Sequence, residues 1–207
     1  MDDVDLQMLA AWRKGDANAG KQLFTRHYAK ISRFFFNKVP EDDAADLIQR
    51  TFLRCVERQH AKWAETSFGA FLFGIARNVL LEHYRRRYRM PAIDLQSQSL
   101  ADLGPAPASV MDHRLEAQLL LQALRQLPIE TQITLELYMF EGLPGKEIAA
   151  VVGVPLGTIR TWIHRGRNQL REKIEALTLD PSLRESTVTD LDQWARLIRE
   201  RMSVSSR

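Results

Sequence analysis

An all-α chain is expected, built as two small helical domains joined by a flexible linker and followed by a short C-terminal helical extension. Three observations carry that expectation. Apolar residues recur at three- and four-residue steps through most of the chain. The stretch MPAIDLQSQSLADLGPAPASV, from Met90 to Val110, breaks that period with three prolines and contains no Lys or Arg. Finally, two helical patterns between Leu143 and Arg171 are separated by Gly153 and Pro155. A length of 207 residues suits one large or two small domains. The linker favours two: 1–90 and 112–177, with 91–111 between them and 178–207 beyond.

In chain order, Leu6, Leu9 and Trp12, then Leu23, Phe24, Tyr28, Ile31, Phe34 and Phe35, define two helices on either side of Gly15, Asp16 and Gly20. Pro40 opens a third helix, with Glu41, Asp42 and Asp43 at the positive end of its dipole. Ala44, Ile48, Phe52 and Cys55 form its core stripe. The opposite face carries Asp46, Gln49, Arg50 and Glu57 around Leu53, with Leu47 on the flank. A single exposed leucine means little; ringed by polar groups it points to a protein interface or to an incidental surface position.

After a short loop with His60, Lys62 and Trp63, the run SFGAFLFGIARNVLLEHYRRRYR reads as one long helix. Phe68, Leu72, Ile75 and Val79 give it a core face, but Phe71, Phe73, Leu80, Leu81 and Tyr84 spread apolar character nearly all round. Such a helix is buried on more than one side or meets something flat. Its end interleaves Arg85, Arg86, Arg87 and Arg89 with Tyr84 and Tyr88. Aromatic plus basic is the composition that takes single-stranded nucleic acid, bases stacking on rings while cations follow phosphates. The competing explanation is that these arginines only complement the helix dipole. Beyond the linker, Leu115, Leu119, Leu121, Leu124 and Leu127 make a helix that stops at Pro128, and Ile129 to Phe140 makes the next.

The most informative stretch is LPGKEIAAVVGVPLGTIRTWIHRGRNQLR. A helical segment from Lys146 to Val152, a break at Gly153 and a Pro155 suited to the first turn of a second helix give helix, tight turn, helix. Ile148, Val152, Ile159 and Ile163 fall where the two helices would cross, with Ala149 small at the approach. At about 100° per residue, Ile159, Ile163, Gly166 and Leu170 share the packing stripe of the second helix. Thr158, Thr161, His164 and Arg165 lie opposite, flanked by Arg160 and Arg167, and form the candidate base-reading row of a DNA-binding helix-turn-helix. Trp162, on the border, either caps the core or stacks on DNA. A helical hairpin with a solvated basic face is the alternative.

Composition narrows the classes further. With 29 Lys and Arg against 26 Asp and Glu, the net charge is only +3, so a nucleic-acid site must be local. One cysteine, Cys55, allows no internal disulfide, and no CxxC or His/Cys cluster suggests a metal site. No phosphate loop, nucleophile elbow or paired-carboxylate constellation argues for catalysis. Neither an enzyme nor a cofactor is therefore expected. The N-terminus MDDVDLQMLAAWRKGD is acidic where a signal peptide would be basic, and no run of 18 apolar residues occurs. A soluble, cytoplasmic protein without membrane insertion is expected.

With these residues assembled, the chain resembles the bacterial RNA polymerase sigma factors of the sigma-70 family, in the short extracytoplasmic-function (ECF) group, over almost everything to about Ala176. DAADLIQRTFLR resembles the region 2 helix that docks on the polymerase beta-prime coiled coil. FGAFLFGIARNVLLEHYRRR resembles the promoter-melting segment, and the run from Leu127 to Ile174 resembles region 4. Three motifs in this order and spacing are far more specific than any one of them. The resemblance implies sigma region 2 in 1–90 and sigma region 4 in 112–177. It implies promoter-specific initiation with core RNA polymerase, through its beta-prime and beta subunits, on promoter DNA, and it leaves open an anti-sigma factor as a further partner.

The implied polymerase-docking residues are Asp46, Leu47, Gln49, Arg50, Phe52 and Leu53. Those implied for the unpaired minus-ten strand are Lys62, Trp63, Phe68, Arg77, Asn78, Tyr84, Arg85 and Arg86. Thr158, Arg160, Thr161, Trp162, His164, Arg165 and Arg167 are implied for the minus-thirty-five duplex. The linker would thread the polymerase channel. Two departures stand out: Trp162 where the family is usually basic, which bears on base preference, and Pro144-Gly145 where it is usually polar, which bears on the helix start. The rival reading is a conventional helix-turn-helix regulator of duplex DNA. It would need neither a docking face nor an aromatic-basic melting helix. From Thr178 on, beyond the resemblance, Leu191, Trp194, Leu197 and Ile198 recur at helical spacing and predict a short amphipathic helix that must dock to be ordered, with a solvated tail of incidental periodicity as the alternative.

Overall fold

The apolar periodicity becomes nine helices in the computed structural model, which describes residues 3–60, 66–88, 94–107 and 115–182. They are α1 (Asp3–Arg13), α2 (Ala17–Phe36), α3 (Glu41–Glu57), α4 (Phe68–Arg87), α5 (Leu100–Leu103), α6 (Leu115–Arg125), α7 (Ile129–Met139), α8 (Gly145–Val152) and α9 (Leu156–Leu177). Among the described residues no strand forms; Ser99 and Pro128 make an isolated bridge. The expected amphipathic helix around Leu191 to Ile198 lies outside the described residues.

Local chemistry sets the helix ends. Asp16 caps α2, its carboxylate accepting from the backbone N–H groups of Asn18 at 2.9 Å and Ala19 at 3.1 Å. Ser67 caps α4 by accepting from the Ala70 N–H at 3.2 Å. Pro40, Pro128, Pro144 and Pro155 each occupy the residue before a helix. Pro155 thus stands one position earlier than the first-turn place expected for it, in extended backbone that ends the turn.

Helices α1 to α4 pack as one bundle, and α6 to α9 as another. Their cores are not separate, however. One apolar cluster runs from Leu23, Phe35 and Leu72 in the N-terminal bundle to Ile133, Ile148 and Ile159 in the C-terminal one, and α8 packs directly on α4. A second cluster, around Leu120, Leu124, Leu135, Leu170 and Ile174, holds α6, α7 and α9 together. Gly166 allows the closest approach there: a Cβ at that position would sit 2.7 Å from the Thr131 methyl group.

The linker carries more order than its composition suggests. Ser99 and Asp102 form a capping box around the single turn of α5, and Leu100 is buried. The Ile129 and Glu130 N–H groups donate to the Gln98 and Leu95 carbonyls. Arg125, itself buried, donates to the carbonyls of Leu100, Gly104 and Pro105 and to that of Asn37 at the end of α2. Backbone carbonyls, which any sequence offers, hold this segment, so residue patterning gave no sign of it.

Gly153, at φ +81°, is the left-handed residue that ends α8 and turns the chain into α9. A Cβ there would meet nothing within 4 Å, so a substitution acts on the backbone alone. Gly153→Val is expected to lower stability by about 1 to 2 kcal/mol, with Gly153→Asn costing less, as read from urea midpoints at unchanged slope.

Candidate nucleic-acid interface

The helix-turn-helix is built from the turn outward. The Gly153 N–H closes α8 on the Ala149 carbonyl at 2.8 Å, and the Pro155 carbonyl accepts from Thr158 at 2.9 Å as α9 begins. Ile148 and Ile159 are wholly buried between the helices. That pins the rotation of α9. Arg160, Thr161, His164 and Arg165 are exposed, and Thr158 and Arg167 are half-buried beside them. Every polar residue of the predicted reading row is thus at least partly at the surface. Trp162 is half-buried and packs with Ile163 against the main core, which favours the core-capping alternative for its ring.

On α3, Leu53 is 54% exposed at the edge of a groove lined by Phe24, Tyr28, Ile48, Phe52 and Val56. Tyr28 stacks on Phe52, with ring centroids 6.2 Å apart. Gln49 is exposed, and Asp46 reaches Arg50 one turn on at 3.6 Å. Leu47 is a correction: it is completely buried and belongs to the core rather than to the docking face. Sequence reasoning in turn missed Tyr28 and Val56, which it counted as core or passed over. Position 28 lies one turn beyond Phe24 on α2, a signal visible only once α2 and α3 are seen side by side.

Helix α4 is central, as its all-round apolar character required. Arg77, Asn78 and Arg85 come together in a cleft also lined by Arg54, Arg58 and Leu95, and Arg86 is exposed nearby. Arg54 lies outside the predicted set and is held there by a two-pronged bond to Glu82, at 2.8 and 2.7 Å. Lys62 and Trp63 lie outside the described residues. Two further members of the predicted strand-binding set are corrected. Phe68 is buried and packs edge-on against His27, and Tyr84 is buried with its hydroxyl donating to the Lys38 carbonyl at 2.8 Å. Burial holds the Tyr84 phenol well above its ordinary pKa. Neither ring offers a face to a base.

An unexpected feature is the partner of Arg77. Its guanidinium is ion-paired with Glu130, at the start of α7. Sequence alone places these residues on separate domains, with nothing to pair them.

A helix-turn-helix with a basic outer row, an apolar groove beside an exposed leucine and a basic cleft along a central helix are surfaces of the kind that suit DNA and a protein partner. The comparisons make this specific. The sigma-70 region 2 family profile matches residues 23–90, and the sigma-70 region 4 profile matches residues 117–170. The chain is 37% identical over 155 residues to the ECF RNA polymerase sigma factor SigE of Mycolicibacterium smegmatis, covering 73% of this chain and 60% of that protein. It is 30% identical over 169 residues to the RNA polymerase sigma factor HrpL of Pseudomonas syringae pv. syringae, covering 79% of this chain and 91% of that one.

Among solved structures, the fold is similar to the sigma factor RpoE of Bartonella quintana, crystallised with the anti-sigma factor NepR. The TM-score is 0.59 at 24% identity, over 75% of this chain and 96% of that one. It is also similar to CnrH in complex with the cytosolic domain of CnrY, with a TM-score of 0.60 at 24% identity, over 84% and 99% of the two chains. The chain belongs to the sigma-70 family of RNA polymerase sigma factors, in its ECF group.

The corrected residues are expected to behave as core. Tyr84→Phe should lower stability by about 1 kcal/mol by leaving the Lys38 carbonyl short of a donor, and Phe68→Ala by about 3 to 5 kcal/mol. Chemical denaturation monitored by circular dichroism measures both.

Proposed function

We propose that this chain binds core RNA polymerase through the α2–α3 groove, reads the minus-thirty-five duplex with α9 and accepts the unpaired minus-ten strand along the cleft of α4. The observation that carries the proposal is the coexistence, on one chain, of an outward base-reading row and an outward apolar docking groove. In residues, Asp46, Gln49, Arg50, Phe52 and Leu53, joined by Tyr28 and Val56, meet the polymerase. Arg77, Asn78, Arg85 and Arg86, with Lys62 and Trp63, meet the minus-ten strand. Thr158, Arg160, Thr161, His164, Arg165 and Arg167 meet the upstream element, with Trp162 supporting them from the core side.

On this reading 1–90 is region 2, 91–111 the linker, 112–177 region 4 and 178–207 an extension. The beta-prime and beta subunits are the contacted partners, an anti-sigma factor is a further one, and the chain acts in the cytoplasm. No reaction is assigned to it: initiation chemistry belongs to the polymerase. Among the described residues no helix is long and apolar enough to cross a membrane, and no group of three or more His, Cys, Asp or Glu could hold a metal ion. Run-off transcription with purified core polymerase on promoters mapped after overexpression tests the proposal. A conventional helix-turn-helix regulator would bind the same duplex without polymerase and would have no use for the groove around Leu53.

Two sets of variants follow. Leu53→Asp and Asp46→Arg, both at exposed positions, should abolish core binding in a pull-down while leaving thermal unfolding unchanged. Leu47→Ala should do the reverse, lowering stability by about 2 to 5 kcal/mol as a core truncation. On DNA, Arg165→Ala and Thr161→Ala should each reduce discrimination between promoter and random duplex by about 1 to 3 kcal/mol. Arg167→Ala, a phosphate contact, should weaken binding to all duplexes and flatten the salt dependence. Holoenzyme binding titrations over a range of salt separate the two behaviours.

A further inference from the structure

The outward row of α9 is rich in groups that can only donate hydrogen bonds. The guanidiniums of Arg160 and Arg165, both exposed, carry N–H groups and accept nothing. Thr161 lies between them and differs in kind. Its hydroxyl donates to the Gly157 carbonyl one turn back, at 3.1 Å. A hydroxyl has a single hydrogen, so this bond occupies its only donor and leaves its lone pairs for whatever approaches from outside.

Two glycines give that oxygen its place. Gly166 is buried against α7, where a Cβ would lie 2.7 Å from the Thr131 methyl group. Together with the wholly buried Ile159 it fixes the rotation of α9. Thr161, about 200° round the helix from Ile159, is thereby kept in solvent. Gly157 is itself exposed, and a Cβ there would meet nothing within 4 Å. Helical side chains lean toward the N-terminus, over the preceding turn, so the bare position 157 leaves the Thr161 oxygen open on that flank. This first part of a recognition helix is the part that reaches base edges.

In the major groove, guanine offers N7 and O6 and thymine offers O4, all acceptors, whereas cytosine N4 and adenine N6 bear hydrogens. Arginine suits the first set. An oxygen whose hydrogen is already bonded suits the second. Turning the hydroxyl toward a keto oxygen would break its bond to Gly157, a loss equivalent to about fivefold in affinity. Every base pair carries one amino group in this groove, on one strand or the other. An acceptor at a fixed place therefore distinguishes A or C from G or T on the strand it faces.

We propose that Thr161 is an acceptor-only reading residue, selecting an amino-bearing base, adenine or cytosine, at one position of the strand it faces. The inference rests on the assignment of α9 as the duplex-reading helix, and not on the assignment of a polymerase partner. Arg165, about 6 Å further along the same face, donates to guanine, so successive contacts of the row have opposite polarity.

The full chain, without polymerase and at low salt, is used to select duplexes from a library with a fully randomised window. Pools selected by the wild type, Thr161→Ser, Thr161→Val and Arg165→Ala are then sequenced. One column should favour A or C over G or T by about fivefold. Thr161→Ser keeps the oxygen and its backbone bond, and should keep that preference. Thr161→Val keeps the shape without the oxygen. It should flatten that column and leave in place the column that depends on Arg165, which also shows that the variant still folds and docks. On the selected duplex, purine in place of adenine, or 2-pyrimidinone in place of cytosine, removes the amino group alone. This should weaken the wild type by about the same fivefold and leave Thr161→Val nearly unchanged.

A Thr161-dependent column that favours G or T would overturn the polarity. So would an A or C column that survives Thr161→Val, or amino-group removal that weakens both proteins equally, because another residue would then be the reader. Pools in which neither Thr161→Val nor Arg165→Ala moves any column would sink α9 as the reading helix, and this inference with it. A Thr161 column that behaves as expected, in a chain that fails to bind core polymerase, would count against the sigma-factor reading and leave the amino contact standing.

Discussion

The short turn between α2 and α3 is where the structure is tied together. Lys38 buries its ammonium group between the Phe34 carbonyl, 2.6 Å away, the Phe34 ring and Glu136. Burial pulls its pKa below the ordinary lysine value, against the opposing pull of Glu136. A cation so placed is tolerable only with its partner present, because removing one member of a buried pair costs about 3 to 5 kcal/mol. The same turn accepts the Tyr84 hydroxyl on the Lys38 carbonyl and the Arg125 guanidinium on the Asn37 carbonyl, and the Asn37 amide donates to the Leu121 carbonyl. Helices α2, α4, α6 and α7 therefore meet at two consecutive residues, Asn37 and Lys38, and Arg125 joins the linker to the same place. Disturbing that turn would be felt in both bundles at once.

Burial also ranks the charges by what they do. Asp46 and Arg50 form a one-turn pair at 3.6 Å with Asp46 64% exposed, a kind of pair typically worth less than about 1 kcal/mol. Such a pair can be given up when a partner docks. Arg33 and Glu141 are a different case: a two-pronged bond out of water orients both bundles and admits no easy substitute. The exposed Arg160 and Arg165 of α9 face solvent. The charges on the outer faces of α3 and α9 sit in water, and those paired between the bundles are buried.

Periodicity made the helices legible, because a 3.6-residue repeat is written locally in the chain. Gly153 announced the turn of the helix-turn-helix for the same reason, and the wheel of α9 needed only Ile159 and Gly166 to orient it. Three site residues failed for one shared cause. Leu47, Phe68 and Tyr84 belong to helices with apolar residues on several faces, and a wheel cannot say which of those faces the neighbouring helices will cover. Arg125 was invisible for another reason: its acceptors are main-chain carbonyls, which carry no sequence signature. The Arg77–Glu130 pair joins residues 53 apart in sequence and on different bundles. Only the packing of α4 under α7 and α8 brings them together.

That packing follows from α4 itself. A helix with Phe68, Leu72, Phe73, Ile75, Val79, Leu80 and Tyr84 all buried cannot be satisfied by α2 and α3, which cover only part of its circumference. The remaining cover comes from the C-terminal bundle, whose Ile148, Val151 and Val152 are buried in the same cluster. Apolar surface returned to water costs about 25 cal/mol per Å², so parting the bundles is unfavourable until something else covers what they leave bare. Apolar character spread around a basic edge, the feature of α4 that its sequence displays, is therefore also what brings the two bundles together.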